Sequence, residues 1–325
     1  MYGENERLSM KIPLCRQCTN PGACRRAVDG EVLCIRHFNK AFLKRVQKTI
    51  NQYRLFTRKD VIAVGLSGGK DSVVLMDVMA KLQQKHPTTL IAVTIDEGIA
   101  NYRKEGLRFA KNAAERAGVE HHIFTYKEKF GYDLDDALIL LGDHRKAACS
   151  TCGPFRRKIL NESARELNAD KLATGHNADD EAQTFLMNIF RGDILKSLHS
   201  KPVPKPKNDA FINRVKPLRK TLEQEIVLYA NFNELEYQEA PCPYAVEAYR
   251  GKIRDILTEY QESDPAIVYS IVNSADHLYG LSDLVPPKIE HDGNKLIIKC
   301  VKCGEPSNNQ LCATCRIIDE IESDN

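Results

Sequence analysis

Short hydrophobic runs alternate with amphipathic segments along the central part of the chain. Residues 61–66 and 90–95 are apolar runs rich in β-branched side chains, a pattern typical of strands buried on both faces of a parallel sheet. Residues 121–126 and 171–175 predict two more strands. Because helical segments separate these runs, the sequence predicts an α/β domain with a parallel sheet. The predicted helices cover residues 38–54, 103–117, 133–141, 221–234, 246–260 and 264–276, with one helix beginning near 154 and one ending near 190.

A glycine-rich turn links the first strand to the helix that follows it. Adjacent glycines let backbone N–H groups approach a phosphate without a Cβ in the way, and the start of a helix adds partial positive charge. The turn differs from a Walker A loop, because three residues rather than four separate Gly65 from Gly69 and Asp71 follows the lysine. We therefore expect a phosphate site formed by Ser67, Gly68, Gly69, Lys70, Asp71 and Ser72.

The composition is that of an ordinary globular protein. Of 325 residues, 42% are hydrophobic and 28% are charged, and 47 basic against 44 acidic residues give a net charge of +3. A nucleic-acid surface would therefore have to be a local patch. No apolar run approaches the length of a membrane span and the first residues lack a signal-peptide core, so we expect a cytoplasmic protein with no membrane partner. In that compartment, eleven cysteines indicate metal or redox chemistry before disulfides.

Two groups of cysteine and histidine residues have the spacing of zinc sites. The first combines a Cys-x2-Cys pair with a Cys-x2-His pair, and the second combines two Cys-x2-Cys pairs. Because four protein ligands leave no open coordination position, we expect both to hold structural Zn²⁺. An acidic tail at residues 319–325 follows the second group and is predicted to be disordered. The ligands are Cys15, Cys18, Cys34 and His37 in the first group, and Cys300, Cys303, Cys312 and Cys315 in the second.

Two segments are rich in basic residues. Eight of these residues surround the first metal group or follow it on the next helix, where either a solvated face or a contact with RNA phosphates would explain them. Residues 201–220 contain seven basic residues and one acidic residue, and are the better candidate for binding an RNA backbone. A solvated proline-rich loop remains the alternative there. The first set comprises Arg16, Arg25, Arg26, Arg36, Lys40, Lys44, Arg45 and Lys48.

Three further cysteines form a smaller group. Cys149 and Cys152 form a Cys-x2-Cys pair at the start of a predicted helix, where thiol pKa values are lowered and metals bind readily. The nearest remaining cysteine in the sequence is Cys242, whose backbone is fixed by a proline on each side. A count of three ligands distinguishes this group from the two zinc sites. Basic residues follow on the same helix and would meet nucleotide or tRNA phosphates: Arg156, Arg157 and Lys158.

Acidic residues follow two of the predicted strands. Asp96 ends the second strand, where it either contacts nucleotide or metal or caps the turn through Gly98. Asp179 and Asp180 follow the fourth strand, at the start of a helix. Helix capping alone would explain acidic residues there. Because ligands bind at strand ends in such sheets, however, we expect one of the two to hold Mg²⁺ or to position the substrate.

In this order, the motifs resemble those of the PP-loop ATP pyrophosphatases. Residues 67–72, here called the PP-loop, are similar to the loop with which these enzymes cradle pyrophosphate and cleave ATP between its α and β phosphates. The two zinc motifs, the Cys149–Cys152 pair, Gly-His-Asn-x-Asp-Asp at 175–180 and Cys242 narrow the resemblance. They resemble the tRNA 2-thiouridine synthetases of the archaeal and eukaryotic wobble-uridine group and the related thermophile enzymes that thiolate ribothymidine. The match covers essentially the whole chain.

The resemblance implies a HUP-like, doubly wound five-stranded parallel sheet with a zinc module at each end. The domains would be an N-terminal zinc module with its linking helix (1–55), a catalytic domain (56–285) and a C-terminal zinc ribbon with its tail (286–325). Cys149, Cys152 and Cys242 would hold a [4Fe–4S] cluster whose fourth iron binds sulfur. Asp180 would be a catalytic carboxylate. The implied ATP contacts are Gly65, Ser67, Gly68, Gly69, Lys70, Asp71, Ser72 and Gly175, with Arg156 and Asp96 as further candidates.

The implied reaction is a two-stage thiolation of tRNA by a homodimeric enzyme. The uridine O2 attacks the α-phosphate of ATP, while Mg²⁺ and Lys70 stabilise the developing charge, and sulfur then replaces the activated oxygen at C2. In an iron-free alternative, Cys149 or Cys152 carries a persulfide and Cys242 resolves it as a disulfide. The target is the wobble uridine, which the overall resemblance favours, or the T-loop uridine. The sulfur donor is sulfide or a thiocarboxylated ubiquitin-like carrier.

Two functions outside this class would use some of the same features. A PP-loop enzyme that adenylates a small acceptor for amidation would need an ammonia source, and the sequence shows no glutaminase signature. A non-catalytic tRNA-binding adaptor would use the zinc modules and the basic segments, but the intact PP-loop and Asp180 argue against it. Release of pyrophosphate that depends on tRNA, and not on a small acceptor, would exclude both.

Overall fold

A computed structural model of the chain describes residues 13–84, 87–142, 147–193, 196–197, 202, 211–247, 250–282, 298–307 and 309–323. The strands in these ranges are β1 (Cys24–Arg25), β2 (Val32–Leu33), β3 (Val61–Gly65), β4 (Thr89–Asp96), β5 (Glu120–Thr125), β6 (Lys171–Ala173), β7 (Asn213–Val215), β8 (Ile298–Lys299) and β9 (Pro306–Ser307). The α-helices are α1 (Ile35–Tyr53), α2 (Lys70–Gln83), α3 (Arg103–Ala117), α4 (Tyr126–Phe130), α5 (Leu134–Leu140), α6 (Ala148–Glu166), α7 (Ala178–Phe190), α8 (Glu223–Phe232), α9 (Arg250–Ser263), α10 (Ile267–Ser282) and α11 (Ala313–Ser323). A 3₁₀ turn covers Pro243–Glu247.

A parallel sheet of five strands lies at the centre, in the order β5-β4-β3-β6-β7. Ile62, Ala63 and Val64 of β3 are fully buried, since helices cover both faces of the sheet. Sequence reasoning did not find β7, because its three residues are mostly polar and pair along one edge with β6 alone. The predicted α/β class and parallel sheet are confirmed.

The order of the strands creates a crevice at the carboxyl ends of β3 and β6. From β3 the chain moves outward through β4 and β5, whereas β6 and β7 extend the sheet on the other side of β3. In doubly wound sheets, ligands bind at such a reversal point. The PP-loop follows β3, and the turn that begins α7 follows β6, so both motifs lie at this crevice.

Different helices cover the two faces of the sheet. One face packs against α1, α2, α3 and α8, where Phe42 stacks on Tyr229 with ring centroids 4.3 Å apart. The other face packs against α5, α6 and α11, around the buried rings of Tyr126 and Phe155. A third apolar cluster joins α7, α9 and α10. None of the helices in the described ranges is long and apolar enough to cross a membrane.

Two local predictions were wrong. The helix predicted to begin near Pro154 begins at Ala148, so Cys149 and Cys152 lie inside its first two turns and the proline lies within the helix. The acidic tail predicted to be disordered forms α11 as far as Ser323. Its apolar residues pack into the same cluster as α6, with Ile321 buried, which explains why this charged segment is helical.

Candidate active site

A cleft of about 280 Å³ lies at the crevice between β3 and β6. It brings together the PP-loop, β4, α6 and the turn before α7. Several residues predicted to bind ATP line it, together with Arg156 and Asp180. Gly68, Gly69, Lys70 and Asp96 do not line this cleft. The lining residues are Gly65, Leu66, Ser67, Asp71, Ser72, Val93, Ile95, Glu97, Arg156, Leu160, Thr174, Gly175, His176 and Asp180.

The PP-loop is a tight turn closed by its own hydroxyl groups. The Ser67 N–H donates to Ser72 Oγ at 3.1 Å, and Ser72 Oγ donates to the Gly69 carbonyl at 2.9 Å. Gly68 has a φ of +88°, and a Cβ there would lie 2.0 Å from the Gly106 carbonyl oxygen, so only glycine fits. Gly69 precedes α2 without a side-chain cap, which leaves the N-terminus of α2 available to an anion.

Lys70 and Asp71 belong to a polar network beside the cleft. The Lys70 ammonium lies 2.5 Å from Glu223 Oε1 and 3.2 Å from Asp71 Oδ2. Burial lowers the pKa of Lys70, but the two carboxylates more than offset this and hold it above its usual value. Asp71 also accepts a hydrogen bond from Asn177 Nδ2 at 2.9 Å. This contact ties the PP-loop to the turn before α7.

The two adjacent aspartates of that turn have different surroundings. Asp179 is buried and accepts hydrogen bonds from the Glu223 N–H at 2.7 Å and from Gln261 at 3.2 Å, so it anchors α8 and α9. Burial raises its pKa. Asp180 lines the cleft, and its carboxylate accepts the Asn177 N–H at 3.2 Å and pairs with Arg250 at 3.1 Å. Asp180 is therefore the member of the pair that can reach a ligand.

The end of β4 also presents two carboxylates with different surroundings. Asp96 accepts the N–H of Gly98 at 2.9 Å, as expected if it caps the turn. Glu97 lines the cleft and forms ion pairs with Arg103 and Arg156, each at 2.8 Å. Sequence reasoning missed Glu97, although its place directly after a strand end was a usable signal. It also missed Arg250, for which the sequence offered no signal.

Cys152 and Cys242 belong to the same apolar cluster, and neither lines the cleft itself. The Cys152 sulfur is 3.3 Å from the Arg156 guanidinium and 3.4 Å from the Tyr126 hydroxyl. Cys149 is exposed, one helical turn before Cys152. Burial raises the pKa of the Cys242 thiol, and the charges of Cys152 and Cys149 raise it further.

The spacing of these three sulfurs differs from that of a single-ion site. Among the described residues, the two sets of four ligands each have all ligand atoms within 4.8 Å of one another, and the group of three cysteines does not. A tetrahedral zinc with Zn–S bonds of about 2.3 Å places its sulfurs about 3.8 Å apart. A cluster of several irons spaces its thiolate ligands more widely. The three cysteines therefore lack the compact spacing of a site for one ion.

The two sets of four ligands have the compact geometry of tetrahedral metal sites. Cys18 and Cys34 have sulfurs 3.8 Å apart, and so do Cys303 and Cys312. This distance matches the separation of about 3.8 Å expected around zinc. Although burial opposes ionisation of Cys300, backbone N–H groups lower its pKa to about 6, which favours the thiolate that binds metal.

Ion pairs attach both metal modules to the catalytic core. Glu225 in α8 pairs with Arg26 and Arg45 of the N-terminal module. Glu305 of the C-terminal module pairs with Arg165 in α6. The predicted basic face near the first metal site therefore loses at least two of its members to the protein interior.

The second predicted RNA-binding segment is described only in part. Residues 201 and 203–210 lie outside the described ranges. Lys216 pairs with Glu181 at 2.5 Å, and the fully buried Arg219 pairs with Asp276 at 2.9 Å. The basic residues near the end of this segment thus hold α7 and α10 together.

Comparison with known proteins places the chain in a family. Residues 38–260 match the PP-loop domain family. The tRNA 2-thiolation protein NcsA of Haloferax volcanii is 36% identical over 95% of this chain and 99% of its own length. The cytoplasmic tRNA 2-thiolation protein 1 of Dictyostelium discoideum is 35% identical over 98% and 87%. The chain belongs to the family of PP-loop tRNA 2-thiolation proteins.

A solved structure of another tRNA 2-thiolation protein has the same fold. The U34-tRNA thiolase NcsA from Methanococcus maripaludis, with its [4Fe–4S] cluster, superimposes with a TM-score of 0.75 at 33% identity. The match covers 87% of this chain and 92% of that protein. The fold class and the family predicted from the motifs are confirmed. The individual site residues and the domain boundaries stay predictions.

Proposed function

We propose that this protein is an ATP-dependent tRNA 2-thiolation enzyme that acts on the wobble uridine at position 34. One observation carries the proposal. Arg156 lines the cleft beside the PP-loop, and its guanidinium lies 3.3 Å from the Cys152 sulfur, so one side chain joins the cleft of the nucleotide loop to the group of three cysteines. The matched relatives named for tRNA 2-thiolation, and one named for U34, support this target over the T-loop uridine.

The first stage activates the uridine. Its O2 attacks the α-phosphate of ATP, the bond between the α-phosphate and pyrophosphate breaks, and C2 then carries an adenylate. The PP-loop and the N-terminus of α2 bind the departing pyrophosphate. Lys70 exchanges its contact with Glu223 for the phosphates and stabilises the developing charge. Asp180, which faces the cleft, would hold Mg²⁺ against the nucleotide.

The second stage replaces oxygen by sulfur. Hydrosulfide attacks the activated C2, the C2–O bond to AMP breaks, and a proton is released as the C2=S bond forms. Cys149, Cys152 and Cys242 would hold a [4Fe–4S] cluster, and an iron without a protein ligand would supply a binding site for hydrosulfide. The Arg156 guanidinium lies between Cys152 and the cleft, where it favours the approach of an anionic sulfur species.

The remaining features complete the proposal. The two sets of four ligands would each hold a structural Zn²⁺. The substrate is tRNA, the sulfur donor is sulfide or a thiocarboxylated carrier, and the enzyme works as a homodimer in the cytoplasm, as the name of the Dictyostelium relative supports for location. Family membership argues against an amidating enzyme and a non-catalytic adaptor.

Metal analysis of anaerobically purified protein tests the proposal first. We expect about two zincs and about four irons per chain, with acid-labile sulfide. Incubation with ATP, sulfide and unmodified tRNA should then yield 2-thiouridine at position 34, mapped by mass spectrometry of nuclease fragments. A tRNA with cytidine at position 34 is the matched control and should stay unmodified.

The other outcomes separate the alternatives. Thiolation mapped to the T-loop would contradict the choice of target. Two zincs without iron, even after reconstitution, combined with a disulfide from Cys242 to Cys149 or Cys152 after one turnover, would establish the persulfide route. No pyrophosphate release with tRNA present would contradict the activation step itself.

A further inference from the structure

An unbroken series of polar contacts runs from the PP-loop to Cys152. Arg103, at the start of α3, donates to the Ser67 carbonyl at 2.6 Å. The same guanidinium pairs with Glu97 Oε2 at 2.8 Å. The other oxygen of Glu97 pairs with Arg156 at 2.8 Å, and Arg156 lies 3.3 Å from the Cys152 sulfur. Glu97 is thus the one link that touches both arginines.

The middle of this series is buried and has little freedom. The side chains of Glu97 and Arg103 are each only 6% exposed. Arg103 also donates to the Ile95 carbonyl at 2.7 Å, which holds it against the end of β4. A buried carboxylate between two guanidinium groups cannot exchange its partners for water without a large cost. A shift of one arginine is therefore passed to the other.

Backbone packing makes the PP-loop and the start of α3 move together. A Cβ on Gly68 would lie 2.0 Å from the Gly106 carbonyl oxygen, so the two backbones are in direct contact. Gln238 strengthens this contact, because its N–H donates to the Gly68 carbonyl at 2.9 Å and its side chain donates to the Tyr102 carbonyl at 2.8 Å. Cys242 follows four residues later. The chain that leads to Cys242 is therefore held against the loop at Gln238.

We propose that Glu97 is a positioning residue that couples nucleotide binding at the PP-loop to the environment of Cys152. Phosphates that bind the loop displace the Ser67 carbonyl and Arg103, and Glu97 transmits the displacement to Arg156 and the sulfur. By thermodynamic reciprocity, a ligand bound at the sulfur site alters nucleotide affinity by the factor by which bound nucleotide alters the affinity for that ligand. The inference rests on the proposed function, since it requires that the PP-loop binds ATP.

Alkylation of Cys152 measures this coupling without relying on catalysis or on iron. Full-length protein with its zinc and without iron is treated with iodoacetamide, with and without a non-hydrolysable ATP analogue. The rate at Cys152 is separated from that at Cys149 by fragment mass spectrometry. We expect saturating analogue to change the Cys152 rate by about fivefold, a typical allosteric factor. In Glu97→Gln this change should disappear, while the analogue still binds with an affinity within about fivefold of the original.

Two further variants keep the test decisive. Arg156→Gln breaks the series at a side chain that is 48% exposed, so the fold should be retained and the coupling should again disappear. Glu105→Gln is the matched control, because Glu105 lies exposed in α3 and pairs only loosely with Arg108 at 3.9 Å. It should retain the full change in rate.

Each remaining outcome overturns the inference. A wild-type rate that does not respond to bound analogue would do so, as would an undiminished response in Glu97→Gln. A lower melting temperature in Glu97→Gln with intact coupling would show a merely structural role. Equal loss in Glu105→Gln would show a non-specific effect. An analogue that fails to bind the wild-type chain would overturn the proposed nucleotide site, and this inference with it, whereas binding without a response overturns the inference alone.

Discussion

The three-cysteine site and the two four-ligand sites are both built from cysteine, but they differ in the spacing and exposure of their ligands. Each four-ligand set draws its atoms within 4.8 Å of one another, and its ligands come from one short stretch of chain. The three cysteines come from α6 and from a segment some ninety residues later, are more widely spaced, and include the exposed Cys149. A closed set of ligands suits a structural role, whereas an open set at a cleft suits a reaction.

The environments of the two kinds of site support the same distinction. The four-ligand sites are joined to the core by the ion pairs of Glu225 and Glu305, neither of which lines the cleft. The three-cysteine site is joined to the cleft by Arg156. Loss of metal from a four-ligand site should therefore lower the stability of the protein, whereas loss of metal from the three-cysteine site should lower the rate of the reaction.

Removal of one cysteine from the open site is expected to have the largest effect. Cys242→Ala should lose iron and lower the rate of thiolation on the order of 10³-fold, because a site left with two ligands cannot hold the cluster. Nucleotide affinity and both zincs should be retained, as measured by calorimetry and metal analysis. Full thiolation activity in this variant would contradict the role given to the site.

Breaking a closed site should affect stability. Cys34→Ala removes a buried ligand of the N-terminal set and should lower the free energy of unfolding by about 4 kcal/mol, with loss of one zinc. Cys24→Ala is the matched control in the same module, because Cys24 is outside the ligand set, and should retain both zincs. Chemical denaturation measures both variants. If Cys34→Ala kept two zincs and its stability, the assignment of a structural metal would be wrong.

The adjacent aspartates show a similar contrast, since Asp180 lines the cleft and Asp179 is buried against neighbouring helices. Asp180→Asn should lower kcat about 10²-fold with little change in melting temperature, since it removes charge from the cleft. Asp179→Asn should lower stability by about 1 kcal/mol and leave kcat nearly unchanged, since Asp179 contacts α8 and α9. Steady-state thiolation and thermal melts distinguish the two. The reverse pattern would move the catalytic assignment to Asp179.

The smallest effect is expected next to the C-terminal metal site. Burial lowers the pKa of Lys158, but Glu162 and the Cys303 thiolate together raise it to about 12, so the ammonium stays charged beside the metal ligands. Lys158→Met should lower the free energy of unfolding by about 1 kcal/mol without loss of zinc at neutral pH. Lys111→Met, at an exposed position in α3, should show no measurable change in thermal melts. If Lys158→Met and Lys111→Met lowered stability equally, Lys158 would not stabilise the metal site.

Much of this molecule was accessible from the sequence because the relevant signals are local. The PP-loop and the strands β3 and β4 each occupy a few adjacent residues, and the four-ligand sets lie within residues 15–37 and 300–315. The helix α3 was predicted with its observed bounds. Other features depend on contacts between residues that are far apart in the sequence. The predicted start of α6 was wrong because Pro154 is typical of a helix N-terminus, although this helix begins at Ala148 and contains the proline in its interior.

The candidate site shows the same limit. The sequence presented Asp179 and Asp180 as equals, and only the packing of α8 and α9 against Asp179 separates them. The sequence offered Cys242 only as the nearest remaining cysteine, some ninety residues from the pair, and the cluster assigned to the three came from a family resemblance. The contact of Arg250 with Asp180 and the series of polar contacts through Glu97 join side chains that meet only in the folded protein.

The packing of α11 on α6 has a consequence for the order in which the protein matures. The cysteine pair lies in α6, but Ile317 and Ile321, which pack beside that helix, emerge from the ribosome only after all of residues 167–312 have been made. Contacts between such distant parts of a chain form late, because a long loop must close first. During synthesis, α6 therefore lacks its contacts with α11 until the C-terminal residues have been made. Insertion of iron and sulfur into a properly supported site would then be a post-translational event that follows the folding of the C-terminal module.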